Sequence, residues 1–367
     1  MNFSSDKRTV LTLDAGGTNL VFTAIQAEEQ VVEEITLPSE ANDLDRCLSN
    51  IVEGFSQVKS RLDGEPVAIS FAFPGPADYP GGIIGELPNL PAFRGAVALG
   101  PMLEDKFGLP VFINNDGDLY AYGEAIAGYL PYINSLLAEA GSQKKYKNLL
   151  GLTLGTGFGA GIVHDGTLLI GDNSNSGEIW LFRDKLSPQS NIEEHVSIRG
   201  VRRIYARETG IRFEDSPAPK DLFEICTGKK PGNKQAALRA FQEMAEAAGD
   251  AISDAITLID GIVVIGGGLA GASDIFMPYL VKEMKSNFTD SDGKSFRRLV
   301  QNVYNLEEES ELARFLQTGT KEISVYGTNR MVRYDPEPST GVGISKIGTS
   351  KAISIGAYAF ALTSLDK

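Results

Sequence analysis

The chain has 367 residues, of which 42% are hydrophobic and 22% charged, and this length and composition predict a globular protein of two lobes. Its formal net charge of -14 opposes binding to nucleic acid or an anionic membrane, and no apolar stretch is long enough to cross a bilayer, so we expect a cytoplasmic protein. Two cysteines in unrelated segments, Cys47 and Cys226, exclude a disulfide framework and a cysteine-rich zinc site, and we expect both to be buried thiols.

The first motif is an apolar strand that ends in an acidic residue and a glycine turn. Residues 10–13 form the strand and Asp14 follows it. The turn then has four small or polar residues: Gly16, Gly17, Thr18 and Asn19. The glycines allow backbone N–H groups to approach an anion. Because a second apolar strand, 20–25, follows without a helix, we predict a hairpin tip and neither a P-loop nor a dinucleotide-binding turn. An ordinary tight turn is the alternative.

The next motif is a strand at 67–72 that Pro74 and Pro76 interrupt before an irregular segment containing Asn89. The amide of Asn89 can both donate and accept hydrogen bonds, as recognition of a ligand hydroxyl group requires. The alternative is a turn residue that satisfies its own backbone.

A third motif places a carboxylate at the end of another apolar strand. Residues 111–114 form the strand, Asn115 and Asp116 follow it, and a helix is predicted next. A carboxylate in this position can accept the proton of a hydroxyl group that attacks phosphorus, so Asp116 is a candidate general base. The alternative is a helix N-cap, formed by either Asp116 or Asp118.

Two further glycine turns follow buried strands. The strand at 149–154 leads into a turn that contains Gly155, Thr156, Gly157 and Gly159, and a strand follows this turn as in the first hairpin. The strand at 262–265 ends in a third turn, formed by Gly266, Gly267 and Gly268. The repeated design predicts a duplicated lobe with two hairpin tips that grip a polyphosphate from opposite sides.

Taken together, these motifs resemble the ROK (repressor, ORF, kinase) sugar kinases, within the actin-like ATPase superfamily that also contains hexokinase. The resemblance implies an α/β, ribonuclease H-like fold of two similar lobes, with mixed sheets around an interlobe cleft. The N-terminal lobe is expected to comprise residues 1–115 and the C-terminal helix 352–367, and the C-terminal lobe residues 116–351.

The resemblance also implies the role of each candidate site residue. The expected ATP-binding residues are Asp14, Gly16, Gly17, Thr18, Asn19, Gly155, Thr156, Gly157, Gly159, Gly266, Gly267 and Gly268. Asp14 is expected to hold Mg²⁺ through water or phosphate, and Asp116 to be the catalytic base. The expected sugar-binding residues are Asn89, Asn115, Glu178 and Glu193.

The chain departs from the family pattern in the segment that binds structural zinc in many members. Trp180 and Leu181 stand where those members have glycine and histidine, and no cysteine lies between Cys47 and Cys226. We therefore predict no zinc, and we interpret His195 as a polar loop or cleft residue. Two smaller departures are Asn19, where the family often has lysine, and Asp118, where it has asparagine.

These observations predict an ATP-dependent sugar kinase, expected to be a homodimer, that transfers the γ-phosphoryl group of Mg-ATP to glucose, fructose or an N-acetylated hexosamine. The alternatives are a sugar-binding or regulatory protein without turnover and a different phosphotransferase of the same fold. A DNA-binding repressor is not expected, because the first strand begins within ten residues of the start. We interpret residues 131–147 as a surface connection and residues 321–350 as strands and loops added before the last helix.

Overall fold

A computed structural model of the chain describes residues 3–16, 18–87, 91–317, 319 and 321–367. The strands are β1 (Val10–Ala15), β2 (Asn19–Gln26), β3 (Glu29–Gln30), β4 (Ile35–Pro38), β5 (Ala68–Ala72), β6 (Ala77–Asp78), β7 (Ile83–Ile84), β8 (Val111–Asn114), β9 (Leu149–Leu154), β10 (Phe158–His164), β11 (Thr167–Leu169), β12 (Ile262–Gly266), β13 (Asn287–Thr289), β14 (Ser295–Arg297), β15 (Asn302–Asn305), β16 (Lys321–Ser324), β17 (Met331–Tyr334) and β18 (Ser339–Ile344). The helices are α1 (Leu44–Ser60), α2 (Leu99–Phe107), α3 (Asp116–Ile126), α4 (Tyr129–Glu139), α5 (Ile198–Thr209), α6 (Pro219–Cys226), α7 (Lys234–Ile259), α8 (Ser273–Met284), α9 (Glu309–Leu316) and α10 (Thr349–Leu365).

Contacts divide the chain into two compact units. The first unit comprises Met1–Gly128, Gly161–Gly177 and Ile347–Lys367, and the second comprises Tyr129–Ala160 and Glu178–Lys346. None of the helices in the described part of the chain combines the length and the hydropathy needed to span a lipid bilayer.

The sheet of the first unit has the strand order β3-β2-β1-β5-β8, and β4 also pairs with β2. Strands β1 and β2 are antiparallel, with Asp14 opposite Val21, so the first glycine turn is a hairpin tip as the sequence predicts. Strands β1, β5 and β8 are parallel to one another. Their carboxyl ends therefore lie at the same edge of the sheet.

Apolar side chains bury one face of this sheet under α1. Helix α1 begins after Asp43, whose side chain accepts a hydrogen bond from the N–H of Arg46, and its buried residues recur every three or four positions. Phe55 of this helix packs edge-on against Phe22 of β2, with ring centroids 5.1 Å apart, and also contacts Phe71 of β5. The helix thus fixes the hairpin against the parallel strands that follow it.

Helices α3 and α10 pack against each other within the first unit, and two glycines allow their backbones to approach closely. A Cβ at Gly123 would lie 1.8 Å from the carbonyl oxygen of Ala352, and one at Gly356 would lie 1.9 Å from the carbonyl oxygen of Leu119. Helix α10 also packs on β1, β5 and β8. The glycines therefore set the position of α3, the helix that begins at Asp116.

In the sheet of the second unit, the parallel strands β9, β12, β18 and β15 lie in that order. Strand β10 is the other neighbour of β9. All five residues of β12 are buried, as expected for a central parallel strand. The long helix α7 packs with α5, α6 and α8. Its N-cap is Asn233, whose side chain accepts a hydrogen bond from the N–H of Ala236.

Three segments differ from the sequence-based expectations. The expected lobe boundary is at residue 115, whereas the first unit extends to Gly128. It includes α3, because this helix packs against α10. The expected surface connection at 131–147 begins with the last part of α4, which extends to Glu139 and buries Ile133 and Leu137. Within 321–350, β16 and β17 form an exposed hairpin, but β18 is an internal strand of the second sheet.

The two cysteines are free and buried, as expected. Burial raises the pKa of the Cys47 thiol to about 11, and the pKa of Cys226 is also raised to about 11, mainly by burial.

Candidate active site

The first glycine turn is closed by its own backbone. The N–H of Gly16 donates to the carbonyl oxygen of Asn19 at 2.9 Å, and the carbonyl oxygen of Thr18 accepts from the N–H of Ser39, also at 2.9 Å. Thr18 and Asn19 are exposed, and their side chains are accessible to a ligand. Gly17 lies outside the described residues, as does Asn89.

Register across the first sheet aligns two of the predicted site segments. Asp14 of β1 lies beside Ala72 of β5, and Ala72 lies beside Asn114 of β8. Adjacent strands are about 4.8 Å apart, so the Cα atoms of Asp14 and Asn114 are separated by about 10 Å. The half-buried Asp14 and the residues that follow Asn114 therefore share one edge of this sheet.

The start of α3 holds the predicted catalytic base. The side chain of Asn115 accepts a hydrogen bond from the N–H of Gly117 at 2.8 Å, and Oδ1 of Asp116 accepts from the same N–H at 2.9 Å. Asn115 is the N-cap, so the alternative in which Asp116 or Asp118 has this role is wrong. Asp118 is instead buried in the first turn of the helix.

The environment of Asp116 favours proton acceptance. The residue is exposed, but the protein around its carboxylate still weakens the hydration of the charged form. This desolvation raises the pKa of Asp116 and the negative charge of Asp14 raises it further, against the opposing effect of backbone N–H groups, chiefly that of Gly117. A carboxylate with a raised pKa is a stronger proton acceptor than an ordinary aspartate.

The second and third glycine turns lie side by side in the second unit. Strands β9 and β12 are parallel, with Thr153 beside Gly266, so both strands end at the same edge of the sheet. A Cβ at Gly267, which has a φ of 86°, would lie 2.4 Å from the carbonyl oxygen of Leu154. The backbones of the two turns can approach this closely only because glycine occupies this position.

One of the two predicted sugar-binding glutamates contacts the second glycine turn directly. Oε2 of Glu193 accepts a hydrogen bond from the N–H of Phe158 at 3.0 Å. The side chain is half-buried, and its Oε1 lies 3.7 Å from Nη2 of Arg199. The sequence gives no sign of this contact, because 35 positions separate the two residues.

The other glutamate, Glu178, precedes a short 3-10 turn at Ile179–Leu181 and accepts a hydrogen bond from the indole N–H of Trp180. This turn packs against a second one, Ile192–Glu194, that carries Glu193. The structure thus brings both glutamates onto neighbouring turns of the second unit.

A polar pair braces the segment between these two turns. The imidazole of His195 contacts the carboxylate of Asp184, which is fully buried and also accepts a hydrogen bond from the N–H of Leu186 at 2.9 Å. Backbone bonds between Asp184 and Ser190, and between Phe182 and Ile192, close the same loop. His195 is therefore a loop residue with a specific partner, and Asp184 is a residue that sequence analysis missed.

The donor set around Asp14 is compatible with Mg²⁺. Among the described residues, Asp14 has neither a hydrogen-bond donor nor a cationic partner, and its negative charge acts on Asp116. No group of three or more histidine, cysteine, aspartate or glutamate side chains in the described ranges could hold a metal ion. A single carboxylate with substrate phosphates and water is the arrangement that Mg²⁺ commonly uses.

Comparisons with known proteins agree with this fold. The sequence model of the ROK family matches residues 10–305. The crystal structure of a glucokinase from Parabacteroides distasonis is 55% identical, covers 99% of each chain and superposes with a TM-score of 0.89. An N-acetyl-D-glucosamine kinase from Photobacterium profundum is 28% identical over 70% of this chain and 83% of its own length. A ROK hexokinase from Thermus thermophilus, only 18% identical, covers 98% of this chain and 100% of its own with a TM-score of 0.69.

The chain belongs to the ROK family. The predicted α/β fold is confirmed by the structural matches to the Parabacteroides distasonis glucokinase and the Thermus thermophilus hexokinase. The family assignment that the glycine turns and the Asn115–Asp116 pair suggested is confirmed as well.

Proposed function

We propose that this protein is an ATP-dependent sugar kinase that transfers the γ-phosphoryl group of ATP to a hexose hydroxyl group, with glucose as the first substrate to test. The names of its relatives support the sugar-kinase class, since the 55% identical protein is a glucokinase and the 28% identical one an N-acetyl-D-glucosamine kinase. The observation that carries the proposal is the position of Asp116 at the start of α3, on the sheet edge that also holds Asp14.

In the proposed reaction, Asp116 accepts the proton of the sugar hydroxyl group as its oxygen attacks the γ-phosphorus. One oxygen–phosphorus bond forms, the bond from the γ-phosphorus to the bridging oxygen breaks, and ADP leaves with that electron pair. Because phosphoryl transfer needs little covalent chemistry from the protein, catalysis consists mainly of positioning and charge stabilisation. The raised pKa of Asp116 suits it to this proton transfer.

The glycine turns supply the proposed nucleotide contacts. The turns after β1 and β9 offer backbone N–H groups to the phosphates, and Gly266, Gly267 and Gly268 leave room beside β12 for the adenosine. Mg²⁺, when bound near Asp14, would neutralise phosphate charge. Charge neutralisation matters here, because ATP and this chain are both anionic.

The proposed sugar contacts are Asn89, Asn115, Glu178 and Glu193. Carboxylate and amide groups match hexose hydroxyl groups, which both donate and accept hydrogen bonds. An N-acetylated hexosamine is the second candidate substrate, because relatives of both kinds match this chain.

The test is a coupled assay of ADP release over a panel of hexoses and amino sugars, with Asp116→Asn as the control variant. We expect release that depends on one sugar of the panel, and a kcat lower by about 10²-fold to 10⁴-fold in Asp116→Asn. Sugar binding without any ADP release would instead indicate a regulatory protein, and full activity of the variant would remove Asp116 from the mechanism.

Three finer properties belong to the same proposal. We expect no bound zinc, and elemental analysis of the purified protein tests this expectation. We expect a homodimer, which sedimentation measurements test. We also expect a cytoplasmic location, which cell fractionation tests.

A further inference from the structure

The carboxylate of Glu193 lies directly against the second glycine turn. Oε2 accepts the hydrogen bond from the N–H of Phe158 at 3.0 Å. A Cβ built on Gly157 would lie 2.6 Å from the same oxygen, closer than side chains tolerate. The carboxylate and the turn are therefore in contact, and a side chain at position 157 would displace the carboxylate from its present position.

The segment that carries Glu193 holds the turn at a second point. The N–H of Ile198 donates to the carbonyl oxygen of Gly155 at 2.8 Å. Between these two contacts, the hydroxyl group of Ser197 donates to the carbonyl oxygen of Glu193 at 2.7 Å, which fixes the path of the segment. Residues 193–198 thus contact the turn at both Gly155 and Phe158, and we call this segment the clasp.

This clasp determines which backbone donors of the turn remain available. The N–H of Gly155 donates to the carbonyl oxygen of Gly157, and the N–H of Phe158 donates to Glu193. Within the part of the chain that the structure describes, the N–H groups of Thr156 and Gly157 have no acceptor. Two adjacent unpaired N–H groups in a glycine turn form a concavity that suits a phosphate oxygen.

We propose that Glu193 is a positioning residue for this phosphate-binding turn, and that it thereby couples sugar binding to nucleotide binding. The coupling rests on the proposed function, in which Glu193 also binds the sugar. With Oε2 on Phe158, Oε1 is left for a sugar hydroxyl group, and Nη2 of Arg199 lies 3.7 Å from it. A sugar that fixes the carboxylate also fixes the turn, and the effect on affinity must be equal in both directions.

The proposal is tested by measuring the affinity for AMPPNP calorimetrically in the absence of any sugar. Glu193→Ala removes the acceptor of the Phe158 N–H, so we expect AMPPNP to bind about 10-fold more weakly. Glu193→Gln keeps an acceptor oxygen, and we expect it to retain nucleotide affinity while losing glucose affinity. Glu178→Ala is the matched control, because Glu178 makes no described contact with the turn, and its sugar-free AMPPNP affinity is expected to equal that of the wild type.

Hydrogen exchange at the turn gives a second readout that requires neither ligand. We expect the hydrogen-bonded amides of the turn, those of Gly155 and Phe158, to exchange faster in Glu193→Ala than in the wild type or in Glu178→Ala. Unchanged exchange and unchanged AMPPNP affinity in Glu193→Ala would overturn the proposal, and so would an equal loss in Glu178→Ala. If the wild type bound neither AMPPNP nor any sugar but Glu193→Ala still accelerated exchange, the proposed function would fail while the clasp would stand.

Discussion

Substitution of Gly123 by alanine tests whether packing on α10 positions α3, the helix that carries the proposed base Asp116. The new Cβ would lie 1.8 Å from the carbonyl oxygen of Ala352, 2.6 Å from its carbonyl carbon and 3.0 Å from its Cα. These are backbone atoms, so no side-chain rotation relieves the clash and the two helices must separate. Overpacking of this kind costs about 3 kcal/mol, and the higher helix propensity of alanine returns about 1 kcal/mol.

The expected net loss is therefore about 2 kcal/mol, which corresponds to a Tm lower by about 3 °C for a chain of 367 residues. Differential scanning calorimetry measures it, and Gly64→Ala is the control, because a Cβ there has no atom within 4 Å. We also expect a lower kcat in Gly123→Ala, since α3 begins at Asp116. A Gly123→Ala protein with the Tm and kcat of the Gly64→Ala control would refute the argument.

Three further predictions follow from the surroundings of individual side chains. The raised pKa of Asp116 predicts that kcat/KM falls as pH decreases through a value above that of an ordinary aspartate, because the protonated carboxyl group cannot accept a proton; a pH–rate profile measures this. Cys47 and Cys226, each with a pKa raised to about 11, are expected to resist a thiol reagent in the native protein and to react after denaturation. His195→Ala leaves the buried Asp184 carboxylate without its imidazole partner and should cost about 1–3 kcal/mol in urea unfolding, whereas a variant as stable as the wild type would show that the pair contributes nothing.

The strand-and-turn pattern of the site could be predicted from sequence because it depends on local chemistry. An apolar strand, a glycine turn and a second apolar strand without an intervening helix specify a hairpin, and β1 with β2 forms one. The parallel pairing of β1, β5 and β8, which brings Asp14 and the start of α3 to one edge of the sheet, is seen only in the structure. The sequence predicts that Asp14 and Asp116 each follow an apolar strand. Periodicity and turn composition carry this information without any knowledge of tertiary contacts.

The choice of helix cap could not be predicted in the same way. Asn115, Asp116 and Asp118 all have side chains suited to an N-cap, and their spacing does not rank them. The structure decides through backbone conformation, since Asn115 is extended, with a φ of -67° and a ψ of 148°, while the helix already includes Asp116. This outcome leaves the carboxylate of Asp116 within the first turn of α3.

The contacts of the second unit depend on tertiary structure and were therefore missed. Glu193 and Phe158 are 35 positions apart, and Asp184 and His195 are 11 positions apart, with no spacing rule that would pair them. The sequence did indicate that the zinc ligands of many family members are replaced here, but nothing in it named Asp184 as the partner of His195. Only the folded loop identifies that pair.

Carboxylates lie close to the two glycine turns that are proposed to bind phosphate. The first two glycine turns each have a carboxylate close to them: Asp14 lies immediately before the first turn, and Glu193 contacts the second. Carboxylates beside a phosphate site oppose anion binding unless each is neutralised or directed elsewhere. Glu193 is directed to the N–H of Phe158, while Asp14 has no such partner among the described residues and acts on Asp116 by raising its pKa. We therefore expect a bound cation at the first turn and not at the second.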